Sequence, residues 1–218
     1  MYRTASLRNN LFFVVLLFAG CSAKQQQKAL PYYNTPEFTP IFLHSDKEVA
    51  QIINHSIGNF SFTNQNNQII SEDQINGKIH VANFIFTSCG SICPVMTKQM
   101  KLVEKAFLND TNLVILSYSV TPWIDSVSRL KKYATANQIQ KSNWHLLTGG
   151  KNDIYTLARQ SYFAEEDLGF TKDSSQFLHT EHVLLVDKTK RIRGIYNGTL
   201  QLEMEQLVRD IQKLKEEE

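Results

Sequence analysis

Two of the three cysteines in this chain of 218 residues, Cys89 and Cys93, lie four residues apart in the stretch FTSCGSICPVM. In an extended strand their Cα atoms would be about 13 Å apart, beyond the reach of a disulfide or of a shared metal ion. A helical turn instead brings the Cβ atoms of residues four apart to about 5 to 6 Å, which permits both. Gly90 and Pro94 favour such a turn, because glycine accepts backbone angles that other residues avoid and proline suits the first position of a helix.

The pair follows an apolar run and precedes a helical pattern, so we expect it where a strand ends and a helix begins. The unpaired N–H groups and the positive end of the helix dipole lower the pKa of a thiol at such a position. Thiolates bind soft metals and attack disulfides. Three uses therefore stay open for Cys89 and Cys93: a structural disulfide, although so short a loop removes little chain entropy, a dithiol that exchanges with other proteins, or a metal site.

A metal site needs a further ligand, and the chain has six histidines: His44, His55, His80, His145, His179 and His182. The first two lie in or near the predicted linker described below, and the next two lie in predicted strands, where we expect satisfied core or rim groups. A zinc site built from both cysteines and the last two histidines is disfavoured, because residues three apart in a strand point to opposite faces of the sheet. Two thiolates with one imidazole suit copper, since sulfur holds Cu(I) and nitrogen helps to hold Cu(II). The residues alone leave open whether His179 or His182 is that ligand.

The N-terminus indicates export from the cytoplasm. Arg3 and Arg8 precede the apolar run LFFVVLLFAG, and Cys21 follows two small residues, in a pattern that resembles the lipobox of bacterial lipoproteins. We therefore predict a signal peptide over 1–20, lipidation of Cys21, a linker over 21–50 and one domain over 51–218. That domain would be tethered to a membrane and face the periplasm or the cell exterior, where conditions favour thiol oxidation. An ordinary signal peptide or membrane anchor is the alternative.

Composition is that of a globular domain, with 42% hydrophobic and 20% charged residues. The 23 Lys and Arg nearly balance the 21 Asp and Glu, and no basic stripe is interleaved with aromatic residues. We therefore expect no nucleic-acid partner.

The order of predicted elements indicates an α/β fold. Near-continuous apolar runs predict buried strands at 79–87 and 112–120, and apolar positions spaced by three and four predict a helix after Pro94. The other predicted elements are a hairpin in 58–70, a helix in 125–138, a short strand at 144–149, a helix at 151–163, a second hairpin over 182–196 and a final helix after 203. Strand, helix, strand, helix, hairpin and helix is the order of a thioredoxin-like fold, with a central mixed sheet flanked by helices.

The stretch FIFTSCGSICPVMTKQM resembles the signature of the Sco/SenC copper chaperones, and the resemblance continues through SVTPWIDSVSRLKKYA, WHLLTG and HTEHVLLVD. It implies a thioredoxin-like copper carrier that helps to assemble the copper A centre of cytochrome c oxidase. The family's copper ligands fall on Cys89, Cys93 and His179, whereas His182 comes three residues too late for the pattern. The family commonly has Asp at the position of Thr121, and its later acidic position is retained as Asp125.

This resemblance implies a cycle in which the reduced cysteines take up copper with His179 and pass it to cytochrome c oxidase subunit II or another copper acceptor. Oxidation to a disulfide would release the metal, and a thiol-disulfide reductant would restore the pair. The main alternative is a thiol-disulfide oxidoreductase that keeps an acceptor's cysteines reduced, so the sequence leaves enzymatic activity open. A lipoprotein scaffold without redox function is a third possibility. A peroxidase of the peroxiredoxin type is disfavoured, because no arginine follows Cys93 until Arg129.

Overall fold

The computed structural model of the protein describes residues 29–139, 143–164 and 180–217. The predicted signal peptide over 1–20 and two predicted site residues, Cys21 and His179, lie outside these ranges. In the part of the chain that is described, no helix is both long enough and apolar enough to cross a membrane.

Within the described residues, the strands form one nine-stranded sheet. The strands are β1 (Tyr32–Tyr33), β2 (Pro40–Ile41), β3 (Ser61–Asn64), β4 (Ile69–Ser71), β5 (Ile79–Ile85), β6 (Leu113–Ser119), β7 (Trp144–Thr148), β8 (His182–Val186) and β9 (Ile192–Asn197). Their order across the sheet is β2-β1-β9-β8-β5-β6-β7-β3-β4. The α-helices are α1 (Asp46–Ile52), α2 (Ile92–Ala106), α3 (Val127–Ala136), α4 (Lys151–Thr156) and α5 (Gln201–Glu217).

Strands β5 and β6 form the centre of the sheet, as their apolar runs predict. Every residue of both strands is buried. They pair in parallel, from Ile79 opposite Leu113 to Ile85 opposite Ser119, while β8 pairs with β5 in the antiparallel direction. Because parallel strands end at the same edge of a sheet, the loop that follows β5 and the loop that follows β6 are neighbours. The first of these loops carries the cysteine pair.

Helices cover both faces of this sheet. Apolar residues of α2, among them Met96 and Met100, pack in one buried cluster with residues of α5 such as Leu207. On the opposite face, Tyr118 packs with aromatic residues that include Phe60 and Tyr162. The thioredoxin-like order of strands and helices is therefore confirmed, with two local differences. Helix α2 begins at Ile92, so that Pro94 is its third residue, and α4 continues into a π-helical segment, Leu157–Ser161.

The N-terminal part of the described chain packs against the sheet, although it falls within the predicted linker over 21–50. Tyr33 in β1 pairs with Ile192 in β9. The guanidinium of Arg193, which is only 5% exposed, lies 4.0 Å from the ring centre of Tyr32 and donates a hydrogen bond of 2.8 Å to the carbonyl of Leu30. Strands of two residues show no periodicity in a sequence, which is why the pattern did not reveal them.

Arg193 also joins this segment to two carboxylates. It contacts Glu217 at 2.7 Å and Asp187 at 3.4 Å. Asp187 directly follows β8, and His80 near the start of β5 pairs with Val186. This buried ion cluster therefore lies at the end of the sheet opposite to the loop of Cys89 and Cys93.

Candidate functional site

The two cysteines lie at the predicted junction between strand and helix. Strand β5 ends at Ile85, and the N–H of Cys89 donates a hydrogen bond of 3.0 Å to the carbonyl of Phe86, which turns the chain back. Cys93 is the second residue of α2. Both thiols are free, with Cys89 partly exposed and Cys93 buried. The thiol of Cys93 hydrogen-bonds the sulfur of Cys89, so the turn that the spacing requires is formed.

The N–H groups at the start of helix α2 favour the thiolate form of Cys89. Ser91 holds the position before the first helical residue, but its side chain makes no capping hydrogen bond. The first N–H groups of a helix have no partner inside it, and those of Ser91, Ile92 and Cys93 hydrogen-bond the sulfur of Cys89. Burial raises the pKa of this thiol, but these bonds outweigh it and leave the pKa below its ordinary value. Cys89 is therefore the thiol that ionises first.

Cys93 has the opposite electrostatic character. Burial raises its pKa to about 11, and the hydrogen bond that it gives to Cys89 adds to the rise. Negative charge on Cys89 and on Asp125 acts in the same direction. At neutral pH the pair therefore comprises a partly exposed nucleophile, Cys89, and a buried protonated thiol, Cys93, that can resolve a mixed disulfide or lose its proton when a metal binds.

A buried carboxylate lies directly beneath the loop. Asp125 has no exposed surface. Its oxygens accept hydrogen bonds from the hydroxyl of Ser119 at 2.6 Å, from the hydroxyl of Thr121 at 3.0 Å, and from both the N–H and the hydroxyl of Thr87. Thr87 lies two residues before Cys89, so the carboxylate is joined directly to the segment that carries the pair.

Arg129 in α3 completes this network. Its Nε donates a hydrogen bond of 2.8 Å to the hydroxyl of Thr87 and lies 3.6 Å from the carboxylate of Asp125, and its Nη2 donates to the hydroxyl of Ser88. In the sequence, Asp125 stands out only as an acidic position of the family pattern that the chain resembles, and Arg129 only as the first arginine after Cys93. The hydroxyl side chains that contact these two residues come from two loops and a strand. Their positions follow no regular spacing in the sequence, so no motif indicates the network.

Four of the histidines have environments unrelated to the cysteines. His80 is fully buried, which lowers its pKa to about 3, and its Nε2 lies 3.1 Å from the hydroxyl of Tyr162. Burial also lowers the pKa of His145, to about 4. His55 hydrogen-bonds the carbonyl of Ser161 at 2.8 Å. His44 precedes α1, with its N–H 3.0 Å from a carboxylate oxygen of Glu48. His80 and His145 are therefore neutral core and rim groups, although the Nδ1 of His80 has no hydrogen-bond partner among the described residues and is not satisfied as expected.

His182 lies on the other side of the sheet from helix α2. Its ring packs edge-on against Phe38, with 5.6 Å between ring centres, and Phe38 belongs to the apolar face opposite that helix. The next residue, Val183, packs on the face that α2 covers. This arrangement disfavours His182 as a ligand of the cysteine pair, and His179 lies outside the described residues. Among the described residues, no cluster of three or more His, Cys, Asp or Glu side chains could hold a metal ion.

The family model described as SCO1/SenC matches residues 50–216. A solved SCO1/SenC family lipoprotein from Bacillus anthracis is 28% identical, with a TM-score of 0.65 over 75% of this chain and 96% of that protein. BsSco, described as a member of the Sco family of cytochrome c oxidase assembly proteins with a disulfide switch, is also 28% identical, with a TM-score of 0.64 over 76% of this chain and 96% of its own.

Bradyrhizobium japonicum ScoI, solved with copper bound, shares the fold at 22% identity, with a TM-score of 0.57 over 73% of this chain and 99% of its own. The matched residues of the family model include both cysteines, the loop that follows β6 and all but the last residue of helix α5. The chain therefore belongs to the SCO1/SenC family.

Proposed function

We propose that this protein is a membrane-tethered copper chaperone outside the cytoplasm, which binds copper through Cys89, Cys93 and His179 and delivers it to the copper A centre of cytochrome c oxidase. The observation that carries the proposal is the thiol pair itself. Two free, hydrogen-bonded cysteines of unequal acidity lie at the N-terminus of a helix, in a fold of the SCO1/SenC family. Subunit II of the oxidase is the expected acceptor.

The chemistry of the pair supports copper as its cargo. Two thiolates are soft ligands that favour Cu(I), and one imidazole adds affinity for Cu(II). The N–H groups that stabilise negative charge on Cys89 also favour its metal-binding form. Oxidation of the pair to a disulfide removes both sulfur ligands, so the redox state of the two thiols decides whether copper is held or released. A thiol-disulfide reductant is therefore a required partner of the cycle.

The membrane anchor is part of the same proposal. Lipid on Cys21 would hold the domain at a membrane surface through the predicted linker over 21–50, part of which, from Leu30 to Tyr33, packs on the sheet. The description of the Bacillus anthracis relative as a lipoprotein supports this assignment. Processing of the full chain, followed by mass spectrometry of its N-terminal peptide, tests it through the mass of the acylated cysteine.

A thiol-disulfide oxidoreductase is the second candidate function. The observation that favours it is the unequal acidity of the two thiols, because an exposed nucleophile beside a protonated resolving thiol is what disulfide exchange requires. The disulfide switch described for BsSco is consistent with the same chemistry. The two functions differ in their need for the histidine, since disulfide exchange needs only the two sulfurs.

Replacing His179 therefore separates the two functions. We expect His179→Ala to weaken copper binding by the reduced full-length chain at least about tenfold, since one of the ligands is lost. His182→Ala is the matched control and should bind copper as the wild type does, because its ring packs on Phe38 across the sheet from α2. Competition with a chromophoric copper chelator measures both affinities. Equal affinities for wild type and His179→Ala would refute the assignment of this ligand, and a loss confined to His182→Ala would transfer the role to that residue.

A further inference from the structure

Beneath the cysteine loop, Asp125 and Arg129 form a polar clamp that the copper and disulfide chemistry does not itself require. We propose that this clamp is a positioning device for the cysteine pair, which holds the segment of Thr87 and Ser88 so that the two sulfurs stay within bonding reach. The proposal concerns the thiol pair on which the proposed function rests. Its test needs no copper, so a failure of copper binding would leave it intact.

The position of the Asp125 carboxylate supports this positioning role. Asp125 has no exposed surface, and its hydrogen-bond donors come from three separate segments: the exit of β5, the end of β6 and the loop between β6 and α3. Burying a carboxylate is costly unless several donors compensate it. Apolar residues could fill the same volume without that cost, so the carboxylate is better explained by the segments that it joins than by stability alone.

The contacts of the Arg129 guanidinium support the same role. The side chain of Arg129 is 45% exposed, yet it reaches from α3 to two successive hydroxyls, those of Thr87 and Ser88, while remaining 3.6 Å from Asp125. An exposed side chain in an ordinary surface ion pair has many alternative partners. Here every contact that it makes with the loop falls on the two residues immediately before Cys89.

The backbone gives the loop little support of its own. The N–H of Val120 bonds the carbonyl of Ile85 at 2.9 Å, where the strand pairing ends. Beyond that point, the N–H of Cys89 bonds the carbonyl of Phe86. Gly90, which has no side chain to pack, lies between this turn and the start of α2. The hydrogen bonds that the side chains of Thr87 and Ser88 make with the clamp therefore hold the start of the loop in place. The position of this segment sets how closely the sulfur of Cys89 approaches that of Cys93.

The opposite end of the sheet offers a matched control. Asp187 is also buried, and it accepts hydrogen bonds from the N–H and the hydroxyl of Thr189, from the N–H of Arg191 and from Arg193. Asp125→Asn and Asp187→Asn thus remove the same charge from two equally enclosed sites. Only the first of these sites touches the cysteine loop. Urea unfolding of both variants shows whether their losses of stability are comparable.

The readout is the dithiol–disulfide equilibrium of the full-length chain in glutathione buffers. One glutathione disulfide is reduced to two glutathione molecules while Cys89 and Cys93 lose two protons and two electrons and form one S–S bond. We expect Asp125→Asn to shift this equilibrium about tenfold, or about 30 mV, towards the dithiol, because a looser loop makes closure of the bond less favourable. Asp187→Asn should stay within about twofold of the wild type. Equal shifts in the two variants, or none in Asp125→Asn, would overturn the proposal.

Arg129→Met distinguishes a positioning effect on the cysteine pair from a charge effect on it. It also provides a second variant if Asp125→Asn does not fold. Loss of the clamp predicts a shift towards the dithiol for both variants. If only the charges of these residues acted on the thiols, removing a positive and a negative group would shift the equilibrium in opposite directions. A shift of Arg129→Met towards the disulfide would therefore overturn the positioning role. Arg129 lies on the exposed side of α3, so its replacement leaves the core intact.

Discussion

At pH 8, iodoacetamide is expected to modify Cys89 about a hundred times faster than Cys93, because only thiolates react and the two thiols differ in acidity. A thiol with a pKa of about 11, as in Cys93, is about one part in a thousand ionised at this pH. The pKa of Cys89 lies below its ordinary value of 9.0, so at least about a tenth of it is ionised. The burial of Cys93 enlarges the difference further.

The pH dependence of the two rates follows from the same pKa values. Modification of Cys89 should level off once the pH exceeds its lowered pKa, whereas that of Cys93 should rise about tenfold per pH unit up to pH about 11. Mass spectrometry of peptides from the reduced full-length chain, quenched at intervals, measures both rates. The same reaction in urea is the control, since unfolding should remove the difference. Equal rates in the folded chain would contradict the assignment of Cys89 as the nucleophile.

Replacing Cys93 by serine should abolish copper retention while the fold remains. Serine is close to cysteine in size, and we expect the buried hydroxyl to lower the free energy of unfolding by about 1 to 3 kcal/mol. A hydroxyl is a poor ligand for Cu(I), however, and a single remaining thiol cannot close an intramolecular disulfide. We therefore expect copper affinity to fall at least about a hundredfold. Chelator competition measures the affinity, and urea unfolding measures the stability.

Ser91→Ala is the control for that substitution. Ser91 lies within the same loop, but its side chain makes no capping bond to α2, so copper affinity and stability should both stay close to the wild-type values. Survival of copper retention in Cys93→Ser would contradict a site built on both sulfurs. Normal support of oxidase assembly by that variant would instead favour the scaffold function, which needs neither thiol.

Thr121 lies where the resemblance to the family predicts Asp, and its contacts show the role of threonine in this chain. Thr121 is almost fully buried, and its hydroxyl donates to Asp125 at 3.0 Å. An aspartate there would place a second carboxylate against the first, at an electrostatic cost unless one of them took up a proton. In this chain the residue is therefore a donor to the clamp rather than a second acidic group.

The central strands and the cysteine turn were predictable because their signals are local. The runs that became β5 and β6 are apolar throughout, which only strands covered on both faces tolerate. The spacing of Cys89 and Cys93 permits a shared chemistry only in a turn, and the turn is present. Copper was indicated by the chemistry of two thiolates with one imidazole, whereas the choice of His179 over His182 came from the family resemblance, and both remain part of the proposed function.

The remaining features depend on contacts between distant residues. Strands β1 and β2 are two residues long and owe their place to β9 and to Arg193, about 160 positions further along the chain. The clamp likewise joins Thr87 to Asp125, which lie 38 positions apart. The unequal acidity of the two thiols could not be predicted either. Both cysteines lie at the same helix terminus, and they differ only in burial and in the N–H groups that act on each sulfur.

The copper content of the full-length chain in its two redox states tests the central claim most directly. The chain is purified in detergent, one half is reduced and the other is oxidised to the disulfide, and both are loaded with copper, freed of excess metal and analysed for copper per chain. We expect about one copper per reduced chain and less than about a tenth of that per oxidised chain, since the disulfide removes both sulfur ligands. A reduced chain that retains no copper would contradict the account and make disulfide exchange the leading function.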